Sequence, residues 1–550
     1  MTDMPSSETY IPKVTRPEIS PLFLNVGATL FMLAAFNNTW WGRLSGALDG
    51  HPVQMVILAG AFWALTLFVA TLLGPRWLQK PVLISMVLIG AAASWYQDEL
   101  GATINRDMIQ NVMQTTVTEA RHLVTLPYAL HMLVWGVLPA LAILLVRIKP
   151  LSLRRDLVIW ALSVLLSFAL VPGLLITDFK AFSSLLRERK DIVNAYQPLT
   201  PIVGAYRYGK MMLASAQTEV EPLGLDAQKG PLLAAARKPV VTVIFAGETA
   251  RAQNWGANGY ARNTSPETIA AGAINFSNVE SCGTATAVSL PCMFSDLTES
   301  DFSTTRFRSR ENLLDVLSHA GVKVEWIDNN TGDQGIGART GSSRLSADAD
   351  PVACAAGECT DEVFLPILRE KLASITEDTV LVFHMIGSHG PAYFMRYTDD
   401  FRRFTPDCRS ADFNTCTEEE IANAYDNTLL FTDHVLAQAM AELEAAQDRV
   451  APALLFLSDH GESLGEGGLF LHGAPRFLAP EVQYKVPMEI WLSEGYRNAM
   501  GLDSACVAAQ SDQPLSQDYM FHTILGMMDI RTAAHDPAHD LVAACKGPIG

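Results

Sequence analysis

Charge is scarce in this chain of 550 residues: 18% of positions are charged, against 49% hydrophobic, and aromatics make up 9%. So little charge beside so much apolar surface excludes a globally disordered chain. A basic excess is also missing, since the formal net charge is −18 and the pI is near 5.1. A general nucleic-acid binder needs a basic face, so no nucleic-acid partner is expected. Cysteine is absent before Cys282, and no two cysteines stand in a CxxC spacing. The eight that follow (Cys282, Cys292, Cys354, Cys359, Cys408, Cys416, Cys506 and Cys545) are therefore expected as disulfides in an oxidising compartment rather than as zinc–thiolate ligands. No small-residue cleavage site accompanies the first apolar stretch, which reads as an uncleaved signal anchor.

What is present divides the chain. Its length and a mean hydropathy of +0.17 exceed one compact soluble domain, so at least two are expected. Crossing a bilayer takes about 20 mostly apolar residues. Five stretches qualify: roughly Leu22–Trp41, Val53–Leu73, Pro81–Trp95, Leu126–Val146 and Leu157–Ile176. The basic residues that orient them are Lys13 and Arg16, Arg76 and Lys80, and Arg147, Lys149, Arg154 and Arg155. Basic short loops stay in the cytoplasm, and five spans then put the C-terminal half outside it. The connector Gln97–Thr125 carries Asn105, Asp107, Asn111, Gln114, Thr115 and Glu119 at roughly helical spacing. It reads either as a polar helix beside the bilayer that holds a lipid headgroup or as a solvated connector. Asp178–Tyr208 mixes charges with aromatic and aliphatic residues, as an interfacial amphipathic segment does, and Ala214–Lys238 reads as linker.

Beyond Lys238, short β-branched or aromatic runs alternate with helical patterns. The runs are Val240–Phe245, Ile274–Val279, Val322–Ile327, Thr379–Met385, Ala453–Leu457 and Met488–Leu492. Helices are expected over Arg310–His319, Asp361–Ile375 and Thr417–Gln447. That alternation implies a mostly parallel sheet covered by helices, with its chemistry past the carboxyl ends of strands. There the sequence holds Gly247-Glu-Thr249, Asp328-Asn-Asn330, Gly387-Ser-His-Gly390, Ser458-Asp-His-Gly-Glu462 and Leu471-His-Gly473. Acids and histidines gathered at several strand ends suit a metal with oxygen and nitrogen ligands, where a lone Asp-His pair would be a helix cap. The segment Ser281–Ser295 places small hydroxyl residues where a helix begins, an end that favours anions. Standing alone, it would read as a helix N-cap.

As an ordered set these motifs resemble the phosphoethanolamine transferases of the Gram-negative inner membrane, the family of the lipid A-modifying and transferable colistin-resistance enzymes. The matching pieces are Gly247-Glu-Thr-Ala-Arg251, Cys282–Ser295, Asp328-Asn-Asn330, His389-Gly-Pro-Ala-Tyr393, Asn423-Ala-Tyr-Asp-Asn427, Ser458-Asp-His-Gly-Glu-Ser463, Leu471-His-Gly473 and Met108-Ile-Gln-Asn-Val112. The resemblance implies a five-helix membrane domain (1–178), an interfacial segment and linker (179–237), and a periplasmic domain (238–550). The last has an alkaline-phosphatase/sulfatase-like α/β fold with a mostly parallel sheet. It implies Thr286 as nucleophile, with Glu248, Asp459 and His460 binding Zn²⁺ together with the Thr286 oxygen. His389 and His472 would bind the substrate phosphate or a second zinc, and Asn329 and Glu462 are further substrate-binding candidates. Asn111, Thr115 and Glu119 would hold the lipid headgroup.

The family pattern pairs Cys282–Cys292, Cys354–Cys359 and Cys408–Cys416; Cys506 with Cys545 follows by remainder. Phosphatidylethanolamine is the implied donor and lipid A the implied acceptor, with inner-membrane lipids as surroundings, and a monomer is expected. One departure stands at Gln334, where relatives often carry a substrate-contacting lysine. The alternatives are a phosphoglycerol transferase, a membrane sulfatase or a non-catalytic lipid-binding sensor. A sulfatase needs a CxPxR-type context that Cys282 and Cys292 lack, and a sensor would have lost ligands that this chain keeps.

Overall fold

The computed structural model describes residues 18–547 apart from 116, 216–218, 347 and 356, so Lys13 and Arg16 lie outside the described residues. The chain forms two compact units. One holds the residues up to Asp98 together with Leu126–Ile202; the other holds Glu99–Thr125 and everything from Val203 onward. The connector between the expected third and fourth spans thus belongs to the second unit.

In the first unit, the helices are α1 (Pro21–Ala35), α2 (Asn38–Ala47), α3 (Pro52–Leu73), α4 (Gln79–Leu100), α6 (Leu126–Leu145) and α7 (Leu153–Ile176); α5 (Arg106–Gln114) lies in the connector. Among the described residues three of these, α3, α6 and α7, are long and apolar enough to cross a membrane, or four if α1 and α2 form one broken span. The five continuous spans expected from the sequence are therefore not all found. The first is bent by 73° at Asn37. There the Asn37 amide donates to the carbonyls of Met32 and Gln197, both at 3.0 Å, and its oxygen accepts from the Gln197 amide at 2.8 Å. A side chain that satisfies backbone groups at a break stabilises the break. The third apolar stretch lies inside the 22-residue α4, whose ends are polar, from Gln79-Lys80 to Asp98-Glu99.

The second unit is built on an eight-stranded sheet. In chain order its strands are β1 (Val240–Gly247), β2 (Ile274–Glu280), β3 (Lys323–Asp328), β4 (Ser342–Arg344), β5 (Thr379–His384), β6 (Ala451–Ser458), β7 (Lys485–Leu492) and β8 (Leu515–Ser516). They lie in the order β8-β2-β7-β6-β1-β5-β3-β4, and all neighbours are parallel except those of β7. Along β1, Val241, Val243 and Phe245 enter the core on one face, while Val240, Ile244 and Ala246 enter the core on the other. Successive side chains of a strand point to opposite faces, so a strand covered on both sides must be apolar throughout.

On one face lies α11 (Glu418–Ala445), opened by a capping box between Thr417 and Glu420 and buried along most of its length. The opposite core takes in Leu290, Met293 and Phe294 from α10 (Thr286–Met293) and its end. Part of the stretch expected as linker is also packed. Leu223, Ala227 and Leu233 are buried there, and Gln228–Lys229 pairs with Ile530–Arg531. The first unit also holds α8 (Phe179–Glu188) and a short helix over Lys190–Asn194, and α9 (Leu199–Ser215) follows.

One polar group in this core limits stability. Glu489 on β7 is fully buried, and its Oε1 accepts from the Trp255 indole (2.8 Å) and the Thr268 hydroxyl (3.3 Å). Oε2 finds no donor among the described residues. Burial pushes this carboxyl up to about 8, with the nearby Asp433 charge adding to it. A carboxyl raised on folding keeps its proton in the native chain while the unfolded chain releases it. Its stabilising contribution is therefore whole below about 4.5 and is lost as pH rises to about 8. Thermal unfolding of the full chain should fall between pH 5 and pH 8.5, and Glu489→Gln should lose less over that interval, by about 4 °C or more. Parallel pH curves for the two proteins would refute the assignment.

Candidate active site

Glu248 and Asp459 meet because of strand register. β1 and β6 are parallel neighbours with Gly247 opposite Ser458, so each chain turns off the sheet at the same level, one into Glu248 and the other into Asp459-His460. All three side chains are 0–1% exposed, and each presents one ligand atom within 4.8 Å of the others. Between β2 and α10, the turn brings Thr286, a residue 7% exposed, to the same point as the first residue of the helix. Thr286 Oγ1 lies 3.1 Å from Glu248 Oε2, 3.4 Å from Oε1, and 3.3 Å from His460 Nε2. The Cys282–Cys292 disulfide ties the turn to its own helix, and the other three pairs are Cys354–Cys359, Cys408–Cys416 and Cys506–Cys545.

The donor set fits a cation. His460 Nδ1 lies 2.8 Å from the Gly461 carbonyl, which requires the proton on Nδ1 and leaves the Nε2 lone pair facing inward. That lone pair sits 3.4 Å from both the Glu248 and Asp459 carboxylates. Asp459 Oδ1 accepts from the amides of Thr249 and His460, while Oδ2 finds no donor among the described residues. Three acceptors turned on one another in a dry pocket repel, and a divalent ion removes that repulsion. Burial pushes the Asp459 carboxyl up to about 6 and the His460 imidazole down to about 3, so the ring is neutral, as a ligand must be.

A second ring of residues holds this centre. Asn330 donates from Nδ2 to Glu248 Oε2 at 2.7 Å and to the Met385 carbonyl at 2.8 Å. Behind it, Asp328 and His384 end the paired strands β3 and β5, and His384 Nδ1 meets Asp328 Oδ2 at 2.8 Å. Asp361, fully buried, accepts from the amides of Ile386 and Gly387 at 2.9 and 2.8 Å and so pins the loop after β5. A Cβ on Gly387 would stand 2.5 Å from the Glu248 carbonyl, so only glycine lets this loop pass. Thr249 has φ +59°, a strained value for a β-branched residue. It is held there by the Tyr425 hydroxyl of α11, which donates to the Thr249 carbonyl at 2.7 Å.

The other expected residues divide. His472 packs its ring 4.3 Å from that of His460, and His389 lies 5.7 Å from His472, centroid to centroid. Burial lowers His389 to about 3. Burial also pulls His472 down, but Glu462, whose Oε2 is 2.9 Å from His472 Nδ1, lifts it to about 9. Glu462 also accepts from the Tyr393 hydroxyl at 2.6 Å, so it orients His472 from behind. Asn329 turns away from the centre, donating to the Cys359 carbonyl and to Asp361.

On the connector, α5 packs against α10, and Gln110 Nε2 reaches the Ala287 carbonyl at 3.4 Å. Gly473, at φ +86°, has Met108 Cε 2.8 Å from where a Cβ would stand, so α5 also abuts the His472 turn. The Thr115 hydroxyl bonds the Asn111 carbonyl at 2.8 Å. The side chain of Glu119 lies outside the described residues. Gln334 sits in the turn after β3 at φ +53°, 3.4 Å from the Thr331 hydroxyl. Asn330 and Tyr425 lie in motifs quoted above without a role, and His384 and Asp361 carry no local signal. Only the pairing of β3 with β5 reveals them.

Comparison with known proteins follows the same division. The sequence model of the Sulfatase family matches residues 241–530, and that of Phosphoethanolamine transferase EptA/EptB matches residues 62–213. Phosphoethanolamine transferase EptA of Escherichia coli (strain K12) is 38% identical over 539 residues, covering 96% of this chain and 98% of that protein. Phosphatidylethanolamine transferase Mcr-1 of Escherichia coli is 31% identical over 535 residues, covering 94% and 96%. The solved structure of the integral membrane lipooligosaccharide phosphoethanolamine transferase A from Neisseria meningitidis superposes with a TM-score of 0.91 at 32% identity, covering 97% of this chain and all of that one. The second unit is thus a sulfatase-type domain. The chain as a whole belongs to the phosphoethanolamine transferase family.

The Asn330–Glu248 bond is open to a direct test. Asn330→Ala removes the donor that orients Glu248, so affinity for a divalent metal ion by chelator competition and transfer activity should each fall about 10- to 100-fold. Values equal to those of the unsubstituted chain would exclude a positioning role.

Proposed function

We propose that this protein transfers phosphoethanolamine from phosphatidylethanolamine to lipid A through a phosphothreonine intermediate on Thr286. The observation that carries the reading is the convergence on the Thr286 hydroxyl of a buried carboxylate, Glu248, and a neutral imidazole, His460, beside Asp459, at the start of a helix. A threonine hydroxyl in water is too weakly acidic to attack phosphorus. Zn²⁺ held by Glu248, Asp459 and His460 supplies the Lewis acidity that lowers its pKa.

Thr286 Oγ, having passed its proton toward Glu248, attacks phosphorus in line. The Oγ–P bond forms, the bond to the diacylglycerol oxygen breaks, and diacylglycerol leaves with a proton. An oxygen of lipid A then attacks the phosphothreonine and Thr286 regains its hydroxyl. His472, whose ring packs on that of His460, and His389 beside it donate from ring N–H groups to the equatorial oxygens, with Glu462 fixing His472. The free amides at the start of α10 favour the same negative charge. Asn111, Thr115 and Glu119 hold the donor headgroup.

In this reading residues 1–178 anchor the chain in the inner membrane by five passes, 179–237 form the interfacial segment and linker, and 238–550 work in the periplasm. The family membership, with EptA and Mcr-1 named as phosphoethanolamine and phosphatidylethanolamine transferases, supports the donor. The relatives named Kdo(2)-lipid A phosphoethanolamine 7''-transferase support a lipid A acceptor.

Incubated with phosphatidylethanolamine labelled on ethanolamine, the full chain should acquire label at Thr286. Thr286→Ala should acquire none and lose transfer by about a thousandfold or more, as removal of a covalent nucleophile does. Labelled Thr286→Ala, folded and membrane-inserted, would exclude this nucleophile. Chelation should abolish both labelling and the appearance of modified lipid A in a mass spectrum, and added zinc should restore them. Full transfer in chelator would rule out the metal.

A further inference from the structure

At the end of the membrane helices that carries the basic loop residues, α1, α3, α4 and α7 enclose a small polar crevice. Asn25, Thr71, Arg76, Gln79 and Asp156 line it. Polar side chains among apolar helices are costly unless paired, so each is expected to have a partner. Gln79, 1% exposed, spends both amide protons, donating to the Pro21 carbonyl at 2.6 Å and to Asn25 Oδ1 at 2.8 Å. Asn25 in turn donates to Thr71 Oγ1 at 3.1 Å. Gln79 Oε1 is buried and finds no donor among the described residues. Asp156, 8% exposed, stands 3.7 Å from Arg76 Nη1, too far for a hydrogen bond, and that nitrogen donates instead to the Leu151 carbonyl at 2.9 Å.

Gln79 Oε1 is therefore an acceptor short of a donor, Asp156 meets Arg76 only as an ion pair, and that guanidinium, 32% exposed, lies at the rim. The enclosed space is close to that of one water or one primary ammonium. At Gly74, which also lines it, a Cβ would stand 2.6 Å from the Ala70 carbonyl and 3.2 Å from Gln79 Cα, so the chain turns there only with glycine.

We propose that this crevice binds the headgroup of a membrane phospholipid that carries a primary ammonium. The ammonium enters against Gln79 Oε1 and Asp156, and the phosphate stays at the rim on Arg76. A primary ammonium brings three donors and a positive charge to an amide oxygen without a donor and to a carboxylate held only by an ion pair at 3.7 Å. A trimethylammonium brings no donor and is too large, and a glycerol headgroup brings no charge. The site uses residues of the first unit alone and is distinct from the Thr286 centre. It rests on the membrane reading of these helices and not on the transfer reaction.

The test uses the purified full chain carrying Thr286→Ala, so that lipid is not consumed. In native mass spectrometry, dioleoyl phosphatidylethanolamine should be retained at least about tenfold better than the phosphatidylcholine and phosphatidylglycerol counterparts. Arg76→Gln and Asp156→Asn should each lower that retention about tenfold, and Arg147→Gln, at an exposed residue that does not line the crevice, should leave it unchanged. A photoreactive phosphatidylethanolamine should label peptides spanning 71–80 or 152–163, a readout on the unsubstituted crevice that does not depend on how the variants fold. Equal retention of the three lipids, labelling confined to other segments, or soluble glycerophosphoethanolamine displacing the lipid at equal concentration would each overturn the proposal.

Discussion

The register of β1 against β6 is the constraint on which the rest depends. With Gly247 opposite Ser458, two parallel strands end side by side, and the next residues are Glu248 on one and Asp459-His460 on the other. A slip of one residue would turn every side chain of β1 to the wrong face. The apolar residues that hold the register, Val241, Val243 and Phe245 toward one core and Val240 and Ile244 toward the other, are therefore as much a part of the site as its ligands. The sheet's packing energy keeps two carboxylates and a neutral imidazole close together in a dry pocket, an arrangement that is unfavourable in itself.

Around that centre the protein spends polar side chains on orientation. Asp328, His384 and Asn330 form a buried relay that ends on Glu248, and Asp361 clamps the loop carrying His389. Tyr425 reaches from α11 to hold Thr249 at a positive φ, while Glu462 does for His472 what Asn330 does for Glu248. A nucleophile poised for in-line attack needs its neighbours fixed to fractions of an ångström, and chains of satisfied hydrogen bonds in a low-dielectric interior supply that stiffness. The helix that presents Thr286 is also contacted by α5, which belongs to the connector between membrane helices, so the backbone of the proposed nucleophile is braced by residues distant in sequence.

The membrane unit follows the same rule in an apolar setting. Asn37 satisfies carbonyls at the break between α1 and α2, and Gln79, Asn25 and Thr71 form a chain of hydrogen bonds between three helices. The chain stops at Gln79 Oε1, and it is that incompleteness beside Asp156 and Arg76 that marks the crevice as a place for a charged, hydrogen-bonding group.

Local pattern alone determined a great deal. The six main strands, the long helix over 418–445 and the membrane half are legible because periodicity and apolar runs are properties of neighbouring residues. The ordered motifs led to Glu248, Thr286, Asp459 and His460. The break at Asn37, the packing of Leu223–Leu233 into the outer core, and the parts played by Asn330, His384, Asp361 and Tyr425 were decided by the tertiary structure. Asn329 and Asn330 are adjacent and chemically identical, and only the pairing of β3 with β5 turns one to Cys359 and Asp361 and the other to Glu248. Hydrogen bonds between residues tens of positions apart depend on where strands end in space, and no local spacing encodes that.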